Sequence, residues 1–577
     1  DALGRSEVEP LDHLRNLAPH RFADVGAVVH HPRNRRNRNP RLFRHQPDID
    51  VFFMSCHSQC PLIYFRKLIM TQTASKSKSV FIYFRKKINL KKYILIFIAN
   101  AIIVFSFYLS QNIHNASFDQ YIYSLIKVAG MNGASVVSIA IIIFYGFILF
   151  TILNILLILP TLNFDRKVSI DIKKNKEKKE LVLLPIKNIK RYSRILLAAS
   201  IIYLGITVGF FDYAFNSLRN TDLFKDYYIK PDEVEIKFPE KKQNLIYIFL
   251  ESTEMTNISK KNGGVFDISV TPNLENIALN NINFSNTNLL GGARESYGTS
   301  WTVAAMIAQT AGIPLKVKIN DISSSNSTSF NNITTIGDIL SMEGYNNYLL
   351  MGSDANFGGR RSYFSNHSYI ISDYYTAVEE GKIDSNYHEW WGYEDSKLFT
   401  YAKEYLTEIS KDSKPFNFTM LTADTHFTDG YLDKSCDTIF SEAYANSFYC
   451  SDSMIAEFIS WIQEQDFYEN TTIVLTGDHP TMQENFYNID NNYDRVVYNA
   501  FINSRVLPVN NKNRVFTTMD MFPTTLAALG VSIEGDRLGL GTNLFSSKKT
   551  IPEEIGLDNF NKELKKSSDY YYKYIRK

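Results

Sequence analysis

Three long apolar runs in the first part of the chain constrain its fold more than any other feature. They cover residues 93–109, 136–159 and 195–215. Because a helix needs about 20 mostly apolar residues to cross a bilayer, each run is predicted to be a transmembrane helix. The first and third are short or interrupted by polar residues, so buried helices are the alternative for them. The sequence thus predicts a membrane domain over residues 70–215 with three transmembrane helices.

The placement of basic residues orients these helices, since short loops rich in lysine and arginine stay on the cytoplasmic side. Lysines crowd into residues 164–193, whereas the 110–132 loop holds a single one, Lys127. Helices that start inside and cross three times leave the rest of the chain outside. We therefore expect a multi-pass protein of the cytoplasmic (inner) membrane with an extracytoplasmic or periplasmic domain. The charge pattern indicates a lipid bilayer as partner and no nucleic acid.

Residues 1–69 differ in composition from the rest of the chain. The first 53 residues contain nine arginines and no lysine. Met70 opens a stretch in which basic residues lead into an apolar run, which is typical of a translation start. We therefore interpret residues 1–69 as a doubtful leader that is either a translation artefact or an expression remnant.

The four cysteines fall into two pairs. Cys56 and Cys60 lack the neighbouring ligands of a zinc ribbon. Cys436 and Cys450 would close a short loop as a disulfide, which requires an oxidising compartment. Two unrelated thiols are the alternative for this later pair.

The second half of the chain has the pattern of an α/β domain. Residues 216–242 are polar and aromatic, which predicts an interfacial linker. Within residues 243–577, apolar runs of strand length (245–250, 348–351, 416–421, 472–475) alternate with helical stretches (301–311, 395–409, 451–465). This alternation predicts a largely parallel sheet sandwiched by helices, with the chemistry at the carboxyl ends of its strands.

Polar residues stand at these expected strand ends and before one predicted helix: Glu251, Thr299, Asp424, His426, Asp478 and His479. Singly, each could be a helix cap or a surface group. Together, carboxylates, an imidazole and a hydroxyl form a mixed ligand set that suits a divalent metal ion such as Mn²⁺, Zn²⁺ or Mg²⁺. Metal coordination would activate the threonine hydroxyl as a nucleophile, and a plain N-cap is the alternative for Thr299.

At these residues the sequence resembles the sulfatase-like branch of the alkaline phosphatase superfamily. Within it, the resemblance is to bacterial phosphoglycerol transferases of the periplasmic glucan type, with lipoteichoic acid synthases and phosphoethanolamine transferases as relatives. It rests on ESYGTSWTVAAMIAQTAGIPL, on LTADTHFTDG and on GDHPTM, in that order along the chain. The resemblance implies an alkaline phosphatase/sulfatase-like catalytic domain over residues 243–577.

The resemblance also implies roles for individual residues. The implied metal ligands are Glu251, Thr299, Asp478 and His479. Thr299 is implied as the nucleophile because its spacing to Pro314 equals that in the synthases, which favours it over Ser300 and Thr302. His426 is implied to contact the substrate phosphate and to act in catalysis, with Asp424 beside it in the substrate site.

Two further residues correspond loosely to the head-group site of the synthases. They are Phe357 and Arg360 in the stretch GSDANFGGRRSYF. The resemblance implies that both bind the substrate. The alternatives are a core aromatic for Phe357 and a solvated charge for Arg360.

The function implied is metal-dependent transfer of a phosphoglycerol group from phosphatidylglycerol to an envelope glycan through a covalent phosphothreonine. The donor is a membrane phospholipid and the acceptor a glycan. One alternative is a phosphoethanolamine transferase acting on lipopolysaccharide or another surface glycan. Others are a phosphodiester hydrolase and a non-enzymatic protein on a degenerate scaffold. Sulfate-ester hydrolysis is disfavoured, because the sequence has no CxPxR motif.

Overall fold

The computed structural model describes residues 90–112, 116–126, 136–161, 167–171, 178–182, 186, 188–319, 321, 330–487, 489 and 493–576. The doubtful leader 1–69, with Cys56 and Cys60, lies outside the described residues.

The N-terminal region is built mainly from apolar helices. In chain order its elements are α1 (Ile94–Asn112), α2 (Phe118–Ile126), α3 (Val136–Ile158), the hairpin β1 (Lys167–Asp171) and β2 (Lys178–Val182), α4 (Ile189–Thr207) and α5 (Phe210–Ser217). Helix α1 packs against α3 and α4. Inside this bundle Asn100 donates a hydrogen bond of 2.8 Å to the carbonyl of Phe150, which satisfies a polar group in an apolar environment.

Two of the three predicted membrane spans are confirmed as unbroken helices. Two helical stretches among the described residues are long and apolar enough to cross a membrane. One is Lys91–Gln111, which contains most of α1, and the other is Phe144–Thr161, which contains most of α3. The third predicted span, 195–215, is broken into α4 and α5, which meet at an angle of 73°. The bend lies at Gly209, whose φ of 69° is left-handed and therefore favours glycine.

The C-terminal region forms a mixed α/β domain. Its elements are α6 (Leu223–Tyr227), β3 (Ile236–Lys237), β4 (Asn244–Leu250), α7 (Pro272–Asn280), α8 (Thr302–Ala311), α9 (Ile336–Met342), β5 (Asn346–Met351), α10 (Arg360–Asn366), β6 (Tyr369–Ser372), α11 (Tyr374–Glu379), α12 (Asp395–Ile409), β7 (Phe416–Leu421), α13 (Ala443–Gln463), β8 (Thr471–Gly477), β9 (Asn499–Ile502), α14 (Met521–Ala528), β10 (Ser532–Ile533), β11 (Arg537–Leu538), β12 (Gly541–Thr542), α15 (Ile551–Ile555) and α16 (Leu557–Lys565).

Six strands form the central sheet, in the order β6-β5-β7-β4-β8-β9. Only β8 and β9 pair antiparallel within it, so the prediction of a largely parallel sheet is confirmed. The central strand β4 is buried along its whole length. Its side chains alternate between two core clusters, with Tyr247 and Phe249 in one and Ile246 and Ile248 in the other. This alternation explains why a continuous apolar run, without polar positions, marks a strand covered by helices on both faces.

The segment 216–242, predicted to be a linker, contributes to the α/β domain. Leu223 and Phe224 of α6 are buried in its main core, and the ring of Phe224 lies 4.9 Å from that of Tyr571. Strand β3 pairs with β10. A few large apolar side chains anchor the segment. Because the rest of it is polar, its composition did not indicate this packing.

A disulfide joins the loop after β7 to α13. It links Cys436 and Cys450, whose Cα atoms lie 5.7 Å apart. Replacing Cys436 with serine is expected to lower the free energy of unfolding by about 3 kcal/mol, because a cross-link over a loop of this length restricts the unfolded chain. Denaturant unfolding with and without reductant measures the effect. Reductant should destabilise the original protein and leave the stability of the variant unchanged. Equal stabilities of the original protein and the variant without reductant would contradict the prediction.

Candidate metal centre and active site

The sheet itself brings two of the predicted metal ligands together. Strands β4 and β8 are parallel neighbours, and their register pairs Leu250 with Gly477. Glu251 and Asp478 are the next residues of the two strands, so they leave the sheet side by side. With His479 they form a buried cluster in which one ligand atom from each residue lies within 4.8 Å of the others.

Each member of the cluster has one polar atom engaged by the protein and another turned toward the centre. Asp478 Oδ1 accepts hydrogen bonds from the backbone N–H groups of Ser252 and His479, both 2.8 Å. His479 Nδ1 donates to the carbonyl of Pro480, at 2.9 Å, which leaves Nε2 as the ligand nitrogen, 3.4 Å from Asp478 Oδ2. Glu251 Oε1 accepts from the hydroxyl of Ser252, at 2.8 Å. Such outer contacts fix the orientation of metal ligands.

The donor set fits a divalent cation. Asp478 Oδ2 is buried and has no hydrogen-bond partner among the residues that the structure describes. Burial, followed by the negative charge of Glu251, raises the pKa of Asp478 to about 7. Two buried carboxylates beside an imidazole repel each other unless a positive charge compensates them, and oxygen and nitrogen donors of this kind bind Zn²⁺, Mn²⁺ or Mg²⁺.

The threonine at this centre is Thr302, which corrects the sequence prediction of Thr299. Thr302 is the first residue of α8, and its hydroxyl lies 3.3 Å from Glu251 Oε2 and 3.4 Å from His479 Nε2. The Thr299 hydroxyl instead donates to the carbonyl of Ser296, at 2.9 Å, and accepts from the N–H of that residue, at 3.0 Å. Its oxygen is therefore used to close the loop before the helix.

His426 lies in an aromatic cluster at the end of the neighbouring strand. It follows β7, and its ring lies 4.6 Å from that of Trp391, which in turn lies 5.5 Å from Phe357. Its Nδ1 donates to the carbonyl of Phe427, at 2.6 Å, so Nε2 is the nitrogen available to a substrate. Burial lowers the pKa of His426 to about 4, which keeps the imidazole neutral. Trp391 was missed in the sequence analysis, because no motif there marks it.

Arg360 is buried, so the alternative of a solvated charge is wrong. Its Nη2 donates to the carbonyl of Asp354, at 2.9 Å, and its Nε to that of Phe357, at 3.0 Å. Its Nη1 has no hydrogen-bond partner in the described part of the chain. Burial lowers the pKa of Arg360 to about 10, against the opposing charge of Glu251, so the guanidinium remains charged at neutral pH. Phe357 is half-buried, with the guanidinium carbon 5.6 Å from its ring centre.

Asp424 has a structural partner for one of its oxygens, and its role in the substrate site stays a prediction. Its Oδ2 accepts from the N–H of Asp395, at 3.1 Å, and the Asp395 carboxylate accepts in return from the N–H groups of Ala423 and Asp424. Burial and the charge of Asp395 raise the pKa of Asp424 well above its usual value. These reciprocal contacts hold the loop that carries His426 against the start of α12.

The short helix α2 touches three loops of this site, which the sequence did not indicate. The Tyr123 hydroxyl donates to the carbonyl of Gly358, and its ring lies 6.1 Å from that of Trp301. Asp119 accepts a hydrogen bond from the Tyr297 hydroxyl. Helix α2 thus contacts the segment before Thr302 and the Phe357 loop, and Gln120 reaches Met482 beyond His479.

Replacing Tyr123 with phenylalanine is expected to destabilise the protein by about 1 to 3 kcal/mol, because the buried Gly358 carbonyl loses its donor. The Phe357 loop should loosen and KM for the donor substrate should rise. Thermal unfolding and steady-state kinetics measure the two effects. Tyr121→Phe on the same helix is the matched control, since its hydroxyl has no partner among the described residues. Equal stability and KM in both variants would contradict the prediction.

The Sulfatase family model matches residues 243–531. Phosphoglycerol transferase I of Citrobacter koseri is 32% identical over 375 residues, and that of an Escherichia coli strain is 31% identical over 373 residues. Each alignment covers 59% of this chain and 46% of the relative, so the chain matches about half the length of these proteins.

The solved structures that are partly similar to this chain include a synthase and a transferase. The lipoteichoic acid synthase LtaP from Listeria monocytogenes superposes with a TM-score of 0.43 at 18% identity, covering 55% of this chain and 82% of that chain. The lipooligosaccharide phosphoethanolamine transferase EptA from Neisseria meningitidis has a TM-score of 0.44 at 12% identity, covering 77% of this chain and 84% of that chain. The family model and the curated relatives confirm the resemblance seen in the sequence: the chain belongs to the sulfatase family.

Proposed function

We propose that the protein transfers a phosphoglycerol group from phosphatidylglycerol to a hydroxyl of an envelope glycan, with Thr302 as the covalent carrier. The observation that carries this proposal is the Thr302 hydroxyl, which lies against both Glu251 and His479 at the start of α8. The phosphoglycerol transferase I relatives, at 31 and 32% identity, favour the glycerol head group. The missing CxPxR motif argues against sulfate esters.

The four residues at the centre would hold the metal ion: Glu251, Thr302, Asp478 and His479. When bound, a divalent cation lowers the pKa of a coordinated hydroxyl and offsets charge on phosphoryl oxygens. Glu251 orients the Thr302 oxygen through the hydrogen bond between them. The N-terminus of α8 adds its free N–H groups and the positive end of its dipole, which favour an anionic phosphate at this position.

The substrate side of the site lies at the ends of β5 and β7. Backbone carbonyls hold the Arg360 guanidinium in place, so its Nη1, which has no partner among the described residues, can donate to a phosphodiester oxygen without further ordering. A bound phosphodiester anion raises the pKa of a nearby imidazole, which would allow His426 Nε2 to donate a hydrogen bond. Phe357 and Trp391 flank these donors with apolar surface for the glycerol part of the head group.

The reaction proceeds in two displacements. In the first, the Thr302 oxygen bonds to phosphorus, the bond to the diacylglycerol oxygen breaks, and that oxygen takes up the threonine proton. In the second, the acceptor oxygen bonds to phosphorus, the bond to Thr302 breaks, and the proton of the acceptor hydroxyl returns to Thr302. His426 and Arg360 balance the charge of the phosphoryl oxygens in both steps.

The proposed location is the outer side of the cytoplasmic membrane. The disulfide between Cys436 and Cys450 supports an oxidising compartment for the catalytic domain. The basic segment between α3 and α4 supports a cytoplasmic position for that loop. A donor embedded in the bilayer fits an active site attached to membrane helices.

Purified protein with Mn²⁺ and mixed micelles of labelled phosphatidylglycerol or phosphatidylethanolamine tests the proposal. Diacylglycerol should appear from phosphatidylglycerol, and the label should move to a glycan when one is added. Turnover of phosphatidylethanolamine alone would establish the phosphoethanolamine transferase instead. Release of free glycerol phosphate at the same rate with and without glycan would indicate a hydrolase.

A further inference from the structure

A cavity of about 530 Å³ lies beside the nucleophile loop, within the size range of small-molecule sites. One wall is the bend between α4 and α5, which contributes Thr207, Asp212 and Tyr213. The opposite wall is the segment before Thr302, which contributes Glu295, Ser296, Tyr297 and Ser300. The cavity therefore connects the end of a predicted membrane span with the loop that leads to the nucleophile.

The walls of this cavity are already held in place by the protein. Tyr213 donates to the carbonyl of Val317, at 3.3 Å, and its ring lies 4.9 Å from that of Phe118. Asn561 accepts from the N–H of Tyr297, at 3.0 Å. A binding site that is ordered beforehand loses less entropy when its ligand arrives.

The charge of the cavity disfavours an anion. Asp212 pairs with Lys565 at 2.8 Å, so these two charges offset each other. Glu295, the second carboxylate, has no hydrogen-bond or ion-pair partner in the described part of the chain. Its negative charge would repel the phosphodiester of the donor, for which Arg360 provides the matching site.

The carboxylate of Glu295 is the feature of this cavity that indicates a ligand. Desolvation raises the pKa of Glu295 to about 6, and the charge of His479 opposes this shift. Glu295 is half-buried, and a partly desolvated carboxylate without a protein partner is stabilised by a ligand that donates to it. Hydroxyl groups of a polyol are donors of the right kind, and the rings of Phe118, Tyr213 and Tyr297 offer faces for the carbon side of a sugar.

We infer that this cavity is the acceptor site, and that it takes a hydroxyl-rich sugar or polyol whose hydroxyls donate to Glu295. The inference rests on the proposed transferase function and names the chemistry of its second substrate. The hydroxyls could belong to a water-soluble glycan or to the head group of a glycolipid. The position beside the α4–α5 bend is compatible with both sources.

The test compares the full-length protein with Glu295→Gln, which keeps the size of the side chain and removes its charge. Thr207→Trp fills the cavity from the opposite wall. Glu457→Gln, in a separate surface cleft on α13, is the matched control. Each protein is given labelled phosphatidylglycerol, with a glucose trisaccharide as soluble acceptor or a diglucosyl diacylglycerol as glycolipid acceptor. Diacylglycerol release and label on the acceptor are measured separately, together with binding of the trisaccharide by saturation-transfer NMR.

Glu295→Gln and Thr207→Trp should lower the ratio of transfer to hydrolysis by about tenfold or more, through a higher acceptor KM, since a lost hydrogen bond to a charged group costs about 1.5 to 3 kcal/mol. Glu457→Gln should match the original protein. The acceptor that shows the effect identifies the source of the hydroxyls. Unchanged acceptor KM and trisaccharide binding in both cavity variants, with donor cleavage intact, would overturn the inference and leave the proposed function standing. No donor cleavage by the original protein would instead refute the proposed function.

Discussion

Thr302→Ala is expected to reduce diacylglycerol release from phosphatidylglycerol by at least about 10³-fold, because loss of a nucleophile leaves only binding and electrostatic effects. The reason lies in the contacts of the hydroxyl, which meets Glu251 and His479 at the start of α8. The measurement is donor cleavage under saturating metal, with label on the protein followed in parallel.

Two neighbouring variants make this prediction specific. Thr302→Ser retains a hydroxyl and should retain a large part of the activity. Thr299→Ala removes a hydroxyl whose hydrogen bonds, within the described part of the chain, go to the backbone of Ser296. Activity should therefore fall about tenfold or less, through a looser loop. If Thr299→Ala lost most of its donor cleavage while Thr302→Ala stayed active, Thr299 would be the nucleophile.

Chelation of the metal is expected to lower Tm by about 5 °C, since saturating metal at about 100 times its Kd contributes about 2.7 kcal/mol. The physical cause is the buried carboxylate pair, in which the pKa of Asp478 is raised to about 7 by burial and by Glu251. Differential scanning calorimetry before and after chelation, and after addition of Mn²⁺ or Zn²⁺, measures the shift.

Asp478→Asn should abolish this metal-dependent shift, because it removes the negative charge and one ligand. Asp452→Asn is the matched control. Asp452 is also buried, but it accepts from the N–H groups of Asn273 and Leu274 at the start of α7, away from the cluster. That variant should be less stable and still respond to metal. An unchanged Tm on chelation of the original protein would contradict a metal site at this cluster.

The sheet and the metal ligands could be predicted because both depend on a local pattern. A strand covered on both faces is a continuous apolar run, and parallel neighbours end at the same edge of the sheet. Glu251 and Asp478 each follow such a run directly, so the sequence alone placed them at one edge. Only the register of β4 and β8 was needed to set them side by side.

The choice among the hydroxyls of GTSWT could not be made from residue types. Thr299, Ser300 and Thr302 lie within four positions, and which of them faces the metal depends on how the loop turns. Gly298 adopts a φ of 82°, Thr299 folds back onto Ser296, and the helix begins only at Thr302. A sequence prediction that began α8 at Thr302 would have identified this threonine as the residue that faces a phosphate, because helix N-termini bind anions.

Contacts between distant segments could not be predicted from the sequence either. Helix α2 is only nine residues long, and its link to the Phe357 loop runs through the hydroxyl of Tyr123. Asp424 stands beside His426 in the sequence, yet its carboxylate caps Asp395 at the start of α12. In both cases a polar side chain meets a partner from another element, which no local periodicity encodes.

The most direct test of the account is to trap the covalent intermediate. The protein is mixed with labelled phosphatidylglycerol without an acceptor, quenched in acid and digested, and the modified peptide is sequenced by mass spectrometry. We expect a phosphoglycerol group on Thr302 that disappears in Thr302→Ala and persists in Thr299→Ala. A phosphoglycerol group on Thr299, or diacylglycerol release with no modified peptide under conditions that preserve phosphothreonine, would contradict the assignment.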